Sequence, residues 1–219
     1  MVKKHTQFLV LILLLAALPS TSQAQDLNTV INKVIKAMGS ENLRTIQFTG
    51  SGSSYTSGKD VAYVKSYTRD IDLVTPSSRV QIVREQGTPP AEQKESWSIA
   101  TDAPWSKQFE LWTNPWEFVK AAVANKATVS EQTVFAEKFT VVTFTIQNKY
   151  KVSGFINGKD LIEKIQTWIE PNDTLVETTY RDYKDVSGVQ FPMMIIEKKA
   201  GELALIVVVK DVKPNAPLN

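Results

Sequence analysis

The second half of the chain is a series of short strand-like segments separated by turn residues. Each segment is rich in β-branched and aromatic residues, and the dipeptide Asn157-Gly158 is typical of a hairpin turn. The segments are residues 139–146, 149–156, 161–170, 174–183, 189–198 and 202–212. Residues 203–209 are all apolar, so we expect other parts of the protein to cover both faces of the last strand. The pattern predicts a large antiparallel sheet.

Two segments have the apolar spacing of helices. In residues 26–38, apolar side chains recur every three or four positions, and Asp26 and Gly39 can cap the two ends. The dipeptide Asn114-Pro115 is typical of a helix start, and residues 116–124 follow it with helical spacing. We expect the first helix to cover one face of the last strand.

Strand-like segments are also present in the first half, so the fold class is α+β. The segments are residues 61–73, 79–84 and 95–101, and Ile46 and Phe48 alternate with polar residues before them. Because no repeat or linker divides the chain, residues 25–219 are predicted to form a single domain. We predict a strongly curved antiparallel sheet with one or two helices packed in its concave side.

The first 24 residues have the three regions of a cleavable signal peptide. Lys3 and Lys4 open it, residues 8–18 are an apolar run, and small residues lead to Ala24. The run is shorter than the ~20 residues that span a bilayer, which argues against the alternative of an uncleaved anchor. We expect residues 1–24 to be removed and the protein to be periplasmic or secreted. Because the chain has no Cys, a lipid attached to an N-terminal cysteine is excluded.

The mature chain lacks the two residue types on which many active sites depend. The one His of the chain is His5, inside the signal peptide, and there is no Cys. Zinc sites and Ser-His or Cys-His catalysis need these residues, so we predict no metal site, no cofactor and no catalytic site. Chemistry by carboxylates or by a Ser-Lys pair stays open.

The charge of the mature chain is balanced. The whole chain has 25 Lys and Arg against 23 Asp and Glu, and the signal peptide holds two of the lysines and no acid. Proteins that bind nucleic acid carry a basic excess on one face. We therefore predict no nucleic-acid partner.

Aromatic residues are concentrated in the middle of the chain, where Trp97, Trp105, Trp112 and Trp116 lie close together. Such residues can line a pocket for an apolar ligand, or they can fill the core of a curved sheet. Under the first interpretation, the residues of the ligand cavity are Trp97, Trp112, Trp116, Phe118, Phe144 and Trp168.

Four acidic residues of the second half offer an alternative site: Glu163, Glu170, Asp173 and Glu177. Two carboxylates at a set distance can hydrolyse a glycosidic bond. Alternating charges on the solvent face of a sheet produce the same pattern, and we favour this second interpretation.

An ordered series of short motifs runs through nearly the whole mature chain. The motifs are AMGSENLRTIQFTGSG at 37–52, VKSYTR at 64–69, WTNP at 112–115, FVKAA at 118–122, KYKV at 149–152, DYKD at 182–185, GVQFP at 188–192 and DVKPN at 211–215. Together they resemble an exported bacterial domain that precedes metallo-β-lactamase-fold hydrolases. TWIE at 167–170, with the last two motifs, is also similar to the outer-membrane lipoprotein-sorting (LolA-like) superfamily.

This resemblance implies an incomplete, strongly curved antiparallel β-barrel wrapped around one or two helices. In the LolA-like carriers its cavity holds the acyl chains of lipoproteins. Zinc hydrolase activity does not carry over, because the mature chain has no His. We therefore expect a non-catalytic exported domain that binds a hydrophobic ligand, an acyl chain or lipid, in the concave face of its sheet. The alternative is an interaction module for a hydrolase or cell-envelope partner.

Overall fold

The computed structural model describes residues 26–218 apart from 57–59, 88 and 171–172. The signal peptide that we predict at residues 1–24 lies outside the described residues. Within these residues, three helices and eleven strands follow one another: α1 Leu27–Met38, β1 Thr45–Thr56, β2 Asp60–Asp72, β3 Ser77–Gln86, β4 Ala91–Ala100, α2 Trp105–Trp112, α3 Pro115–Ala124, β5 Thr128–Val134, β6 Glu137–Ile146, β7 Tyr150–Ile156, β8 Ile162–Trp168, β9 Leu175–Val186, β10 Val189–Lys199 and β11 Glu202–Pro214.

All the described strands belong to one sheet, in the order β4-β3-β2-β1-β11-β10-β9-β8-β7-β6-β5. Every neighbouring pair is antiparallel. Two meanders, β1 to β4 and β5 to β11, are joined where β1 pairs with β11. Among the described strands β4 and β5 form the two edges, so the sheet is open and does not close into a barrel.

Helix α1 begins and ends at the predicted residues. The Asp26 carboxylate accepts a hydrogen bond from the Thr29 backbone N at 3.1 Å. Gly39 ends the helix with a φ of 62°, a conformation that favours glycine. A Cβ on Gly39 would lie 1.8 Å from the Gly188 carbonyl oxygen, so the end of α1 packs directly on the turn between β9 and β10.

The structure has one helix more than the sequence predicts. Helix α3 is confirmed: the Asn114 side chain accepts from the Trp116 backbone N at 3.0 Å, and Pro115 occupies the first turn. Helix α2 is missed, because it has eight residues and begins after Pro104 with no side-chain cap. The prediction of one or two helices is therefore wrong, and the described residues form three.

The three helices form a layer on one face of the sheet. Helix α2 contacts β4, α3 contacts β6, α1 contacts β10, and α3 touches both other helices. Because β4 and β6 lie near opposite edges of the sheet, the sheet must curve for both to reach the same helical layer. This arrangement supports, in part, the prediction of a sheet wrapped around its helices.

The core is tightly filled beneath α3. The Phe118 ring lies 5.2 Å from the Phe144 ring of β6. A Cβ on Gly154 of β7 would lie 2.3 Å from the Phe118 ring, so the missing side chain lets this ring rest on the backbone. Phe118 is fully buried as a result.

The last strand is covered on one face only. Val207 and Val209 of β11 are buried against the helical side, whereas Val208 between them is 44% exposed. Our expectation that both faces are covered is therefore wrong for the outer face. Val208 is instead paired with Met194 of β10, and such cross-strand neighbours shield one another partly from water.

One strand escapes prediction from the sequence. The segment TVSEQTV of β5 is an edge strand whose residues are mostly exposed, so it lacks the apolar alternation that marks a strand with a buried face. The other described strands are confirmed. The predicted hairpin at Asn157-Gly158 joins β7 to β8.

Candidate ligand-binding cleft

A cleft of about 410 Å³ opens on the concave face, at the end of the sheet that carries the turn between β10 and β11. Strands β1 to β4 form one wall, β10 and β11 form the other, and α2 contributes Glu110 at the bottom. Pockets for small molecules usually have volumes of about 300–1,000 Å³. The cleft is therefore large enough for an organic ligand.

Most residues that line the cleft are polar or charged, and a smaller group of apolar side chains lies among them. Tyr67 and Ile82 face each other across β2 and β3 and lie on the same face of the sheet. Trp97 extends this wall on β4, and Leu205 lines the opposite wall on β11. These side chains form an apolar patch within a cleft whose lining is otherwise polar.

Charged and amide side chains surround the mouth of the cleft. Arg84 forms an ion pair of 2.6 Å with Glu95, and its Nε donates to the Ser54 hydroxyl at 3.0 Å. Gln86 and Gln93 line the same region. Because the rim charges already have partners, the mouth is polar without a strong excess of one sign.

Arg69 of β2 holds the bottom of the cleft together. Its Nε donates to the Ser78 hydroxyl of β3 at 2.9 Å, and its Nη2 donates to the Glu110 carbonyl oxygen of α2 at 2.8 Å. The guanidinium thus ties two strands to α2. These two hydrogen bonds set the distance between α2 and the sheet.

The Glu110 carboxyl faces the same space. It accepts a hydrogen bond of 3.3 Å from the Trp97 indole N–H. Burial raises the pKa of this carboxyl above its ordinary value, and the nearby Arg69 charge opposes that rise. Trp97 therefore contributes both an apolar face and a polar anchor to the wall.

Two buried tyrosines complete the polar part of the site. The Tyr180 hydroxyl of β9 donates to the Thr113 carbonyl oxygen between α2 and α3. Burial raises the pKa of both Tyr180 and Tyr67. Both phenols are therefore protonated at neutral pH, where they bind as neutral hydrogen-bonding groups and do not act as bases.

A small inner cavity of about 40 Å³ continues from the bottom of the cleft towards the start of α3. The two spaces share Tyr67 and Leu205 in their walls. Trp116 forms the far side, and its ring stacks on Phe191 at 5.0 Å. A ligand in the cleft can therefore extend a small group inwards.

The six residues of the predicted cavity separate into two groups. Trp97 lines the cleft and Trp116 lines the inner cavity, so the structure brings these two to the same site. Whether they touch a ligand stays a prediction.

The other four lie elsewhere. Phe118 and Phe144 pack on each other in the core. Trp112 is buried, with its indole N–H directed to Gln108 at 3.5 Å, and Trp168 accepts a hydrogen bond from the Trp105 indole at 2.7 Å through its carbonyl oxygen. Phe118, Phe144 and Trp112 are thus buried in the core, as the interpretation of a filled core expects, whereas Trp168 is half-buried on β8.

Arg69, Glu110 and Tyr180 were not among the predicted site residues. A signal for Arg69 exists, because it alternates with Tyr67 and Ile71, both buried, and a strand places such residues on one face. No local pattern brings Glu110 of α2 or Tyr180 of β9 to it, since the three come from separate parts of the fold.

The acidic residues of the alternative site have partners of their own. Glu177 pairs with Lys164 at 3.4 Å, Glu170 with Lys149 at 3.7 Å, and Glu163 accepts from the Asn157 side chain at 3.3 Å. These contacts favour the interpretation of a charged outer face. Across residues 26–218, gaps aside, no cluster of three or more acidic, His or Cys side chains has the arrangement of a metal site.

Each helix in the described part of the chain is too short or too polar to cross a bilayer. No family model matches the sequence, and no curated protein matches it. Similarity therefore has to be sought in the fold.

Solved structures do share the fold. A LolA superfamily protein from Nitrosomonas europaea aligns with a TM-score of 0.54 at 12% identity, over 87% of this chain and 94% of its own. A DUF1329 family protein from Desulfovibrio piger aligns with a TM-score of 0.51 at 8% identity, over 88% and 95%. A putative outer membrane lipoprotein-sorting protein domain from Vibrio parahaemolyticus gives 0.50 at 8% identity, over 89% and 95%.

At such identities the likeness concerns the fold alone. The LolA-like part of the sequence resemblance is confirmed at that level: an open, curved antiparallel sheet with helices on its concave side. The resemblance to a domain that precedes metallo-β-lactamase-fold hydrolases is not tested by these structures, and it stays a prediction.

Proposed function

We propose that this chain is an exported, non-catalytic protein that binds an apolar ligand, an acyl chain or a lipid, in the cleft on its concave face. The observation that carries the proposal is the open space of about 410 Å³ on the concave face, where Ile82, Trp97 and Leu205 supply an apolar patch within a mostly polar lining. Transfer of apolar surface out of water contributes about 25 cal/mol per Å². An acyl chain in contact with this patch would gain this free energy.

The fold supports the same function. The Vibrio parahaemolyticus structure carries the description of a putative lipoprotein-sorting domain, and the Nitrosomonas europaea protein is assigned to the LolA superfamily. If the ligand class follows the fold, the occupant of this cleft is an acyl chain. The signal-peptide pattern of residues 1–24 supports binding in the periplasm or outside the cell.

The residue content supports binding without catalysis. The mature chain offers neither His nor Cys, and the groups around the cleft are engaged in structural contacts: Arg69 with α2, and Arg84 with Glu95. We propose that these groups hold the walls in place and leave the ligand chemically unchanged.

The test is native mass spectrometry of the protein purified from the periplasm without detergent, followed by solvent extraction. We expect a co-purifying mass that extracts as a lipid. Leu205→Trp should fill the cleft and abolish the bound mass. The matched control is Val208→Trp on the same strand, because Val208 is on the outer face and 44% exposed, and this variant should retain the mass.

A protein that is free of ligand, and stays so after incubation with fatty acids and phospholipids, would overturn this proposal. That result would favour the alternative of an interaction module for a hydrolase or envelope protein, and a pull-down with the purified candidate partner would be the next experiment.

A further inference from the structure

The inner cavity is lined by polar atoms that have no partner within the described protein. Asn114, Trp116 and Thr178 are 3%, 4% and 4% exposed, and all three line this cavity. The Asn114 Nδ2, the Trp116 Nε1 and the Thr178 Oγ1 form no hydrogen bond with any described residue. Buried polar groups in native proteins nearly always have a hydrogen-bond partner. Three unpaired atoms in residues around one cavity therefore point to a partner that comes from outside the chain.

The local structure keeps two of these atoms in place as donors. The Asn114 Oδ1 caps α3 by accepting from the Trp116 backbone N at 3.0 Å, which leaves the Nδ2 free for another acceptor. The Trp116 ring is held by stacking on Phe191, and an indole nitrogen can only donate. Two residues that line the cavity therefore each carry a buried N–H donor with no acceptor among the described residues.

The size of the cavity limits the acceptor. About 40 Å³ admits a few water molecules, since one needs about 10–15 Å³. The same space admits one carbonyl group, but not a polar headgroup. Because the cavity opens into the cleft, a carbonyl there would be attached to an apolar chain lying in the cleft.

The charges around the cavity select against an anion. Glu110 and Glu197 both line it, together with Arg69. Arg69 is already bonded to α2 and β3, and Lys199 pairs with Glu197 at 3.1 Å. An ionised carboxylate would lie near two acidic side chains in a poorly solvated space, which disfavours charge. A neutral carbonyl avoids this cost and accepts both N–H groups with its two lone pairs.

We propose that the inner cavity is a subsite for a neutral carbonyl oxygen, so that the ligand is an acyl ester rather than a free fatty acid. This inference rests on the proposed function, because the apolar chain must occupy the cleft. Asn114 and Trp116 donate to the oxygen, and Thr178 lies beside it.

The test compares three ligands with the same chain length: methyl laurate, laurate and dodecane. Their Kd values are measured by displacement of a fluorescent apolar probe at about pH 8, where laurate is ionised. We expect the ester to bind about tenfold or more tightly than dodecane, because two hydrogen bonds are gained. Laurate should bind more weakly than the ester.

Two variants remove the donors and keep the fold. Trp116→Phe keeps an aromatic ring on Phe191 and loses the N–H. Asn114→Asp keeps the helix cap and replaces the donor with an acceptor. In each we expect the ratio of ester to alkane affinity to fall by about fivefold. Thr143→Val, which removes a hydroxyl bonded to Ser153 at 3.0 Å on the other half of the sheet, is the control and should keep the ratio.

The outcomes separate this inference from the function on which it rests. Equal affinity for ester, laurate and dodecane, or an unchanged ratio in both variants, would overturn the subsite and leave apolar binding intact. A crystal structure of the ester complex in which ordered waters still occupy the inner cavity would do the same. Failure of all three ligands to bind would overturn both proposals.

Discussion

The two halves of the concave face are built differently. Under β6 and β7, α3 presents an aromatic ring, and Phe118 fills the space between Phe144 and the backbone of Gly154. Under β2 to β4, α2 places Glu110 at the bottom of an open cleft, where the Glu110 backbone carbonyl oxygen accepts a hydrogen bond from Arg69. One curved sheet thus yields a solid core or a cleft according to the side chain that the helix offers. An apolar ring can be enclosed completely, whereas a charged group needs polar neighbours.

Two buried carboxyls sharpen this comparison. In the open half, Glu110 receives a hydrogen bond from Trp97. Glu117 of α3, close to Asp72 and Arg69 of β2, is 0% exposed, and neither of its carboxyl oxygens has a hydrogen-bond partner among the described residues. The neighbouring Lys120 donates to the Leu73 carbonyl oxygen. Glu117, which has no hydrogen-bond donor, is therefore in a less favourable place for a charge than Glu110.

The largest loss of stability is expected when the Phe118 ring is removed from the filled half. Phe118→Ala should destabilise the protein by about 4 kcal/mol, because it removes a fully buried ring and leaves a cavity. Trp97→Ala, in the wall of the cleft, should cost only about 1 kcal/mol, because that wall already faces open space. Urea denaturation measures both changes. Equal losses of stability would contradict the distinction between core and cleft.

The next effect concerns the charge of Glu117. Burial raises the pKa of this carboxyl from 4.5 to about 7, the Lys120 charge opposes the rise, and Asp72 adds to it. Because the folded pKa lies above the unfolded one, this group contributes its full stability below pH 4.5 and loses it as the pH rises to about 7. The loss should be roughly 3 kcal/mol.

Glu117→Gln is the variant that checks this prediction. It cannot ionise, so the free energy of unfolding should no longer fall between pH 4.5 and about 7. Denaturation curves of both proteins at several pH values provide the measurement. A variant that keeps the full decline would show that other groups cause it.

A smaller effect tests the contact between α3 and β7. Gly154→Ala should destabilise by about 2 kcal/mol, because its Cβ would press on the Phe118 ring. Gly158→Ala is the matched control in the next loop, where nothing lies within 4 Å of an added Cβ, and it should change stability by less than about 0.5 kcal/mol. A double variant with Phe118→Leu should recover part of the loss. The absence of any recovery would disprove direct contact as the cause.

The sequence predicts the parts of the fold that have strong local signals. Helix α1 has Asp26 and Gly39 at its ends, and α3 has Asn114-Pro115 at its start, so both are found with nearly correct bounds. Most strands have one buried face and alternate accordingly. Helix α2 and strand β5 lack these signals: the first has no capping side chain, and the second has no buried face. Contacts in the folded protein determine both.

The candidate site is harder to predict, because its parts are far apart in the chain. Tryptophan content points to a region that overlaps the candidate site, because Trp97 lines the cleft and Trp116 lines its inner cavity. The same signal also selects Phe118 and Phe144, which fill the core. Composition alone cannot separate a ring that faces a space from a ring that fills one. Only the position of Arg69 among buried neighbours indicates where the polar end of the site lies.

The pairing of β1 with β11 has a consequence for the order in which the protein folds. The first and the last of the described strands are neighbours in the interior of the sheet, so one edge of β1 stays unpaired until β11 has been synthesised. Pairing over such a long separation is slow, and a free strand edge invites contact with other chains. This interior pairing of the finished sheet is thus the last to form, and the nascent chain is most vulnerable to aggregation until it does.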